Sequence, residues 1–394
     1  MKPRMLKENV HSVGAVDWDR RLFDELIPLP DGTSYNSYLI KSGEKTALID
    51  TVDPTMTAVL MRNLDELNIR KIDYVIANHA EQDHSGSLPA VLSRFPEATV
   101  VCTPKCKPML TDLLLIPEHK IKAVEDGEIL SLGDKTLEFI HAPWVHWPET
   151  MFTYLREDRI LFTCDFFGSH LATTDLYVTN EAAVYEGAKR YYAEIMMPFR
   201  SVIPKHLERI KPLQIDIIAT SHGPIYDRPK FIIDAYTDWV MGEPKNIVVL
   251  PYTSMHGSTR AMVEYFVDAL AARGITVKQF DMARSDIGKL AMALVDAATI
   301  VVGTPQVLFG PHPNVAHAVF LANVLHPKLK FASVIGSYGW GGKMLEQITA
   351  MIPNLKLELI PPVVIKGYPK EEDYKALERL AQAIFEKHKE SHLA

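Results

Sequence analysis

Beyond Gly242-Glu243-Pro244 the chain alternates, at nearly even intervals, between short apolar runs and helical periods, and that alternation leaves few folds open. The runs fall at 247–250, 276–280, 299–302, 331–335 and 355–360. Helical stretches follow the first, second and fourth of them, the first reaching 272 and the last beginning at 342, and an amphipathic helix over 371–389 closes the chain. A strand that follows its neighbour in parallel needs a crossover, and helices of this length supply one. The pattern therefore predicts a doubly wound parallel sheet. Before residue 244 the pattern differs. Apolar runs at 38–40, 74–77, 99–102, 137–140 and 160–163 come close together, as in a strand-rich layered domain, and the clearest helical periods are 88–95, 104–115 and 182–195. Two organisations in 394 residues predict two domains, residues 1–244 and 245–394.

The formal net charge is -7, from 42 basic and 49 acidic residues, which gives no electrostatic reason to expect a nucleic acid or an anionic membrane as partner. No run approaches the roughly 18 apolar residues of a membrane span, and residues 1–21 carry basic residues with no apolar stretch behind them. The expected location is the cytoplasm. Three cysteines, Cys102, Cys106 and Cys164, are too few and too irregular for a disulfide framework or a four-thiolate metal site, and are expected to be reduced and mostly buried.

The run ending at Ala77 leads into His79-Ala-Glu81-Gln-Asp83-His84-Ser-Gly86, four potential metal ligands within six positions. By itself this reads first as a metal site, with a solvated loop in which Asp83 or Ser85 caps the next helix as the alternative. Three other segments share the arrangement: 137–140 leads to Pro143-Trp-Val-His146-Trp-Pro148, 160–163 to Cys164-Asp165, and 215–219 to Ser221-His222-Gly223. Each places a His or Asp at the carboxyl end of a strand, where loops gather into sites. The lone His119 and His141 lack such support and read as surface or packed histidines.

In this order the motifs resemble the metallo-β-lactamase-like domain of flavodiiron proteins, and the resemblance runs from Val13-Gly-Ala-Val-Asp-Trp18 through the last strand. It implies an N-terminal metallo-β-lactamase-like αββα sandwich with His79, Glu81 and His146 on one metal. Asp83, His84 and His222 would hold the other, with Asp165 bridging. Zinc hydrolases on this scaffold usually carry His where this chain has Glu81, and nitrogen-rich sets suit zinc. Four histidines with three carboxylates suit redox-active iron, at an expected separation of about 3.5–4 Å. His170 and Tyr191 match positions facing the open side of the di-iron site, where a donor would hold reduced oxygen or supply a proton. Tyr191 beside Tyr192 reads equally as packed aromatics. At Asp24 this chain departs from the His that many members carry.

In the second half, Tyr252-Thr253-Ser254-Met255-His256-Gly257-Ser258-Thr259 opens onto a helix, a phosphate loop or a mere capping loop when taken alone. Two further loops follow strands, Gly303-Thr304-Pro305-Gln306 and Gly336-Ser337-Tyr338-Gly339-Trp340-Gly341-Gly342. Together the three resemble the flavodoxin-like FMN domain of the same family. The first lacks the Gly-x-Gly-x-x-Gly spacing of dinucleotide sites. His256 stands where members often have Trp, and Leu308-Phe309 where they often have paired Asn.

The resemblance implies an oxidoreductase that reduces dioxygen to water, or nitric oxide to nitrous oxide, at two irons with electrons relayed through FMN. It also implies a head-to-tail homodimer or a tetramer. No Cys-x-x-Cys pair follows the flavin domain, so a separate donor is expected, a rubredoxin or a deazaflavin system. Two alternatives stand beside it: a dinuclear zinc hydrolase with an appended flavodoxin-like domain, and a flavin electron carrier with a structural metal site.

Overall fold

The computed structural model describes residues 1–393 and divides into two compact units, Met1–Val240 and Met241–Ala394. The first unit is built on two facing sheets. One has seven strands in the order Arg4–Lys7, Val10–Ser12, Tyr38–Lys41, Thr46–Ile49, Tyr74–Ile76, Thr99–Cys102 and Ile121–Ala123. The other has five, Ile129–Ser131, Thr136–His141, Met151–Leu155, Ile160–Cys164 and Ile217–Thr220.

Side chains on the two faces of the seven-stranded sheet enter different cores, because successive residues of a strand point to opposite sides. Tyr38, Ile40, Ala47, Ile49, Ile76 and Val101 pack between the sheets against Phe139, Met151, Leu155 and Phe162. Leu39, Leu48, Val75 and Val100 face the other way, onto Leu60, Leu64, Val91 and Leu110 of the outer helices. With both faces covered, these strands read as continuous apolar runs rather than alternating ones. The result is the metallo-β-lactamase-like layering.

In the second unit the parallel order is Thr276–Asp281, Lys245–Tyr252, Ala297–Val307, Phe331–Tyr338 and then Glu358–Leu359, with Val363–Lys366 also beside Phe331–Tyr338. This flavodoxin-like order places the switch point beside Lys245–Tyr252. Helices Ser258–Ala271 and Glu371–Glu390 share a core with the sheet through Met262, Phe266, Leu377 and Ile384.

The last strand differs from the continuous one expected over 355–360. It is broken into two short pieces by Pro361-Pro362, which offer no N–H for a ladder. Helix Pro313–Leu325 was not foreseen, since its residues are apolar nearly all round and show no amphipathic stripe. No helix among the described residues is long and apolar enough to cross a membrane.

Candidate metal centre and flavin loops

The ends of four strands position the side chains singled out in the first half. Strand Tyr74–Ile76 is followed by His79 and Glu81, and the single helical turn Gln82–Ser85 carries Asp83 and His84. The loop between Thr136–His141 and Met151–Leu155 carries His146, Asp165 follows Ile160–Cys164, and His222 follows Ile217–Thr220.

These seven residues form two adjoining clusters, each with its ligand atoms within 4.8 Å of one another. In the first, Glu81 Oε2 lies 3.1 Å from both His79 Nε2 and His146 Nε2, while Asp165 Oδ2 lies 3.4 Å and 3.3 Å from the same nitrogens. In the second, Asp83 Oδ1 is 3.2 Å from His84 Nε2 and Asp83 Oδ2 is 3.2 Å from His222 Nε2. Asp165 Oδ1 is 2.9 Å and 3.3 Å from those two nitrogens. Asp165 thus turns one oxygen to each cluster. His119 and His141 lie outside; His141 Nε2 instead donates to Val124 O at 3.0 Å.

Both oxygens of Asp83 and of Asp165, with Nε2 of His84 and His222, are buried and have no hydrogen-bond partner. Buried polar groups are nearly always paired, so lone pairs that converge without pairing point to a cation between them. The electrostatics agree. Burial alone would depress His146 and His222, but the adjoining carboxylates of Asp165, with Glu81 and Asp83 respectively, override it. They lift His146 to about 9 and His222 to about 10. A field that holds protons this firmly also attracts divalent cations. The donor set fits two such ions.

A supporting layer was not legible in the sequence. Glu149 Oε1 accepts from His79 Nδ1 at 2.7 Å and from Ala80 N–H at 3.0 Å, which fixes the ring with Nε2 turned to the cluster. His222 Nδ1 donates to Ser34 O at 2.7 Å. Buried Asp50, pushed up to about 6 chiefly by burial, accepts from Asn78 N–H at 2.8 Å and Asn78 Nδ2 at 2.9 Å, pinning the strand end. His206 Nε2 donates to Pro143 O at 3.0 Å at the start of the loop that carries His146. Glu149 stands three residues after His146, yet a loop carboxylate is too common for that spacing to mark it.

The aromatic rings of His170 and Tyr191 are both buried, with centroids 4.8 Å apart, and that of His170 lies 4.7 Å from His222. Burial, then the neighbouring His222, holds His170 well below the usual histidine range. Burial, then Asp165, raises Tyr191 well above the usual tyrosine value. Both rings are neutral. Asp24 occupies the tip of a tight turn and is raised first by partial burial and then by Glu81 and Asp83, so it feels the cluster without being part of it.

In the second unit the three loops lie at the carboxyl ends of Lys245–Tyr252, Ala297–Val307 and Phe331–Tyr338, one edge of the sheet. Gly257 precedes helix Ser258–Ala271 with φ +94°, a left-handed conformation that turns the loop into the helix. Ser254 Oγ accepts from Gly257 N–H and Arg260 N–H, each at 3.2 Å, and Thr259 Oγ1 lies 3.1 Å from Ser337 Oγ. Thr253 Oγ1 is buried without a partner, as expected of a hydroxyl awaiting an anion. Thr304 Oγ1 accepts from His312 N–H at 3.0 Å, and Gln306 Nε2 donates to Trp340 O at 2.5 Å, tying the second loop to the third. Pro305 and Tyr338 flank this edge. Gly339 and Gly341 have open space around them, and Met255, Trp340, Leu308 and Phe309 are exposed. Backbone, hydroxyls and open aromatic surface fit a flat phosphorylated ring.

Residues 33–223 match the family model described as ODP family beta lactamase. The nitric oxide reductase of Moorella thermoacetica is 35% identical over 392 residues, covering 97% of this chain and 98% of that protein. The anaerobic nitric oxide reductase flavorubredoxin of Salmonella typhi is 34% identical over 96% of this chain and 80% of its own. Among solved structures, rubredoxin oxygen:oxidoreductase from Desulfovibrio gigas superposes with a TM-score of 0.96 at 28% identity, covering 100% of both chains. The flavodiiron protein of Giardia intestinalis gives 0.88 at 29% identity over 98% of each.

Proposed function

The chain belongs to the flavodiiron family, and on that premise we propose that it is an oxidoreductase reducing dioxygen to water, nitric oxide to nitrous oxide, or both. The observation that carries the reading is Asp165, whose two oxygens face two separate clusters of ligand atoms, as a carboxylate shared by paired metals would. His79, Glu81 and His146 would hold one iron and Asp83, His84 and His222 the other. When bound, the irons and FMN supply the electron chemistry of gas reduction.

The protein's own residues supply the rest. Glu149 and Ser34 hold two ligand rings in one orientation. Thr253, Ser254, Ser258 and Thr259 would receive the FMN phosphate at the helix N-terminus. The loops of Thr304 to Gln306 and Ser337 to Gly341 would flank the ring, with Met255, His256 and Gly257 closing the first loop. Tyr191 O–H lies where a proton is needed, beside Asp165 and His170. An external donor such as a rubredoxin, assembly as a dimer or tetramer, and residence in the cytoplasm belong to the same proposal.

The test is gas turnover by the full chain expressed with iron. Many turnovers of oxygen or nitric oxide are expected, and Glu81→Ala should abolish them while FMN remains bound. Full turnover in that variant, or a protein holding only zinc and consuming no gas, would refute the reading.

A further inference from the structure

His170 Nε2 is buried without a hydrogen-bond partner in the protein, like the ligand atoms of Asp83, His84, Asp165 and His222, yet His170 belongs to neither ligand cluster. What that atom presents to the pocket follows from where the protons lie around the other ring nitrogen. Ser34 O can only accept, so its 2.7 Å contact with His222 Nδ1 places a proton on that nitrogen. Thr33 Oγ1 lies 2.9 Å from His170 Nδ1, 3.3 Å from Ser34 O and 3.5 Å from His222 Nδ1. Since His222 Nδ1 is a donor, the Thr33 hydroxyl can give its proton only to His170 Nδ1 or to Ser34 O.

The two arrangements differ in how many of these hydrogen bonds they form. If Thr33 donates to His170, the ring proton sits on Nε2 and Ser34 O accepts from His222 alone, which makes two bonds. If His170 Nδ1–H donates to Thr33 Oγ1, the hydroxyl gives its own proton to Ser34 O, whose two lone pairs then serve Thr33 and His222, which makes three. The arrangement with the additional buried hydrogen bond wins.

We infer that Thr33 is a positioning residue that holds His170 as the Nδ1–H tautomer, so that the ring offers the pocket an acceptor for the O–H of a water or hydroxylated product. This reverses the donor role that family resemblance implies for His170 and leaves Tyr191 as the donor on that side. The consequence for catalysis rests on the gas-reducing reading; the tautomer does not.

The experiment uses the full-length chain with FMN and diamagnetic zinc in place of iron, labelled with nitrogen-15 histidine. Two-bond correlations from ring carbon protons distinguish a protonated from a bare nitrogen, and the His170 signals are identified by their loss in His170→Gln. Wild type should show a protonated Nδ1 and a bare Nε2. Thr33→Val should move the proton toward Nε2, and Thr33→Ser should restore the wild-type pattern. A protonated Nε2 in the wild type, or no change in Thr33→Val, overturns the inference. In the iron-loaded enzyme Thr33→Val should lower kcat by about tenfold at unchanged KM, with recovery in Thr33→Ser. An unaltered kcat despite a switched tautomer overturns the positioning role. Absence of gas turnover in wild type, with the tautomer as expected, would instead count against the gas-reducing reading alone.

Discussion

His388 lies far along helix Glu371–Glu390, fully buried against the sheet of the second unit, and its ionisation should govern the acid stability of that unit. Its Nδ1–H donates to Asn246 Oδ1 at 2.7 Å, and Thr299 O–H donates to its Nε2 at 2.6 Å, so the neutral ring is satisfied at both ends. Burial pushes the group down to about 4 from 6.5. The sign follows. Below pH 6.5 the unfolded chain takes up a proton that the folded chain refuses until about pH 4, so stability present at neutral pH is lost as the pH falls through that window. At 1.36 kcal/mol per unit, the loss amounts to roughly 3 kcal/mol. His388→Gln removes the titration while retaining a donor and an acceptor. Hydrogen exchange of peptides from helix Glu371–Glu390 at matched pH values gives the opening free energy of both proteins, and intrinsic exchange rates cancel in the comparison. Wild type should weaken relative to the variant by roughly 3 kcal/mol between pH 7 and pH 4. Parallel behaviour of the two proteins would show that burial of His388 imposes no such penalty.

Glu149→Gln should weaken metal binding by about 10- to 100-fold in a chelator competition, because the His79 ring loses its charged anchor while both ligand clusters stay intact. Phe266→Ala, deep in the core shared by the second sheet and its helices, should cost about 3–5 kcal/mol in urea unfolding followed through that unit. Gly257→Ala meets no neighbour within 4 Å but must adopt φ +94°, so FMN affinity measured by flavin fluorescence should fall by about tenfold from strain of about 1–2 kcal/mol.

Much of the first unit could be read along the chain because its strands are covered on both sides. Runs such as Thr99–Cys102 are apolar at nearly every position, and each ends where polar residues begin. The second unit was legible from its strand–helix alternation, except where a local pattern failed. Helix Pro313–Leu325 lacks a polar stripe, and the strand near its end is cut by Pro361-Pro362. The candidate ligands stood out because several fall within a few residues, as His79, Glu81, Asp83 and His84 do. Their supports did not, because Glu149, Asp50, Ser34 and Thr33 are ordinary residues whose partners lie 28 to 188 positions away.

Residue types and their order determined which segments end in ligand-bearing loops, since a strand's apolar length and the polar turn after it are local properties. Only the tertiary structure decided that Asp165 divides its two oxygens between two clusters, and that Thr33 stands between His170 and Ser34. Those relations depend on where two sheets bring distant strand ends together, and no spacing along one chain encodes the direction of a lone pair.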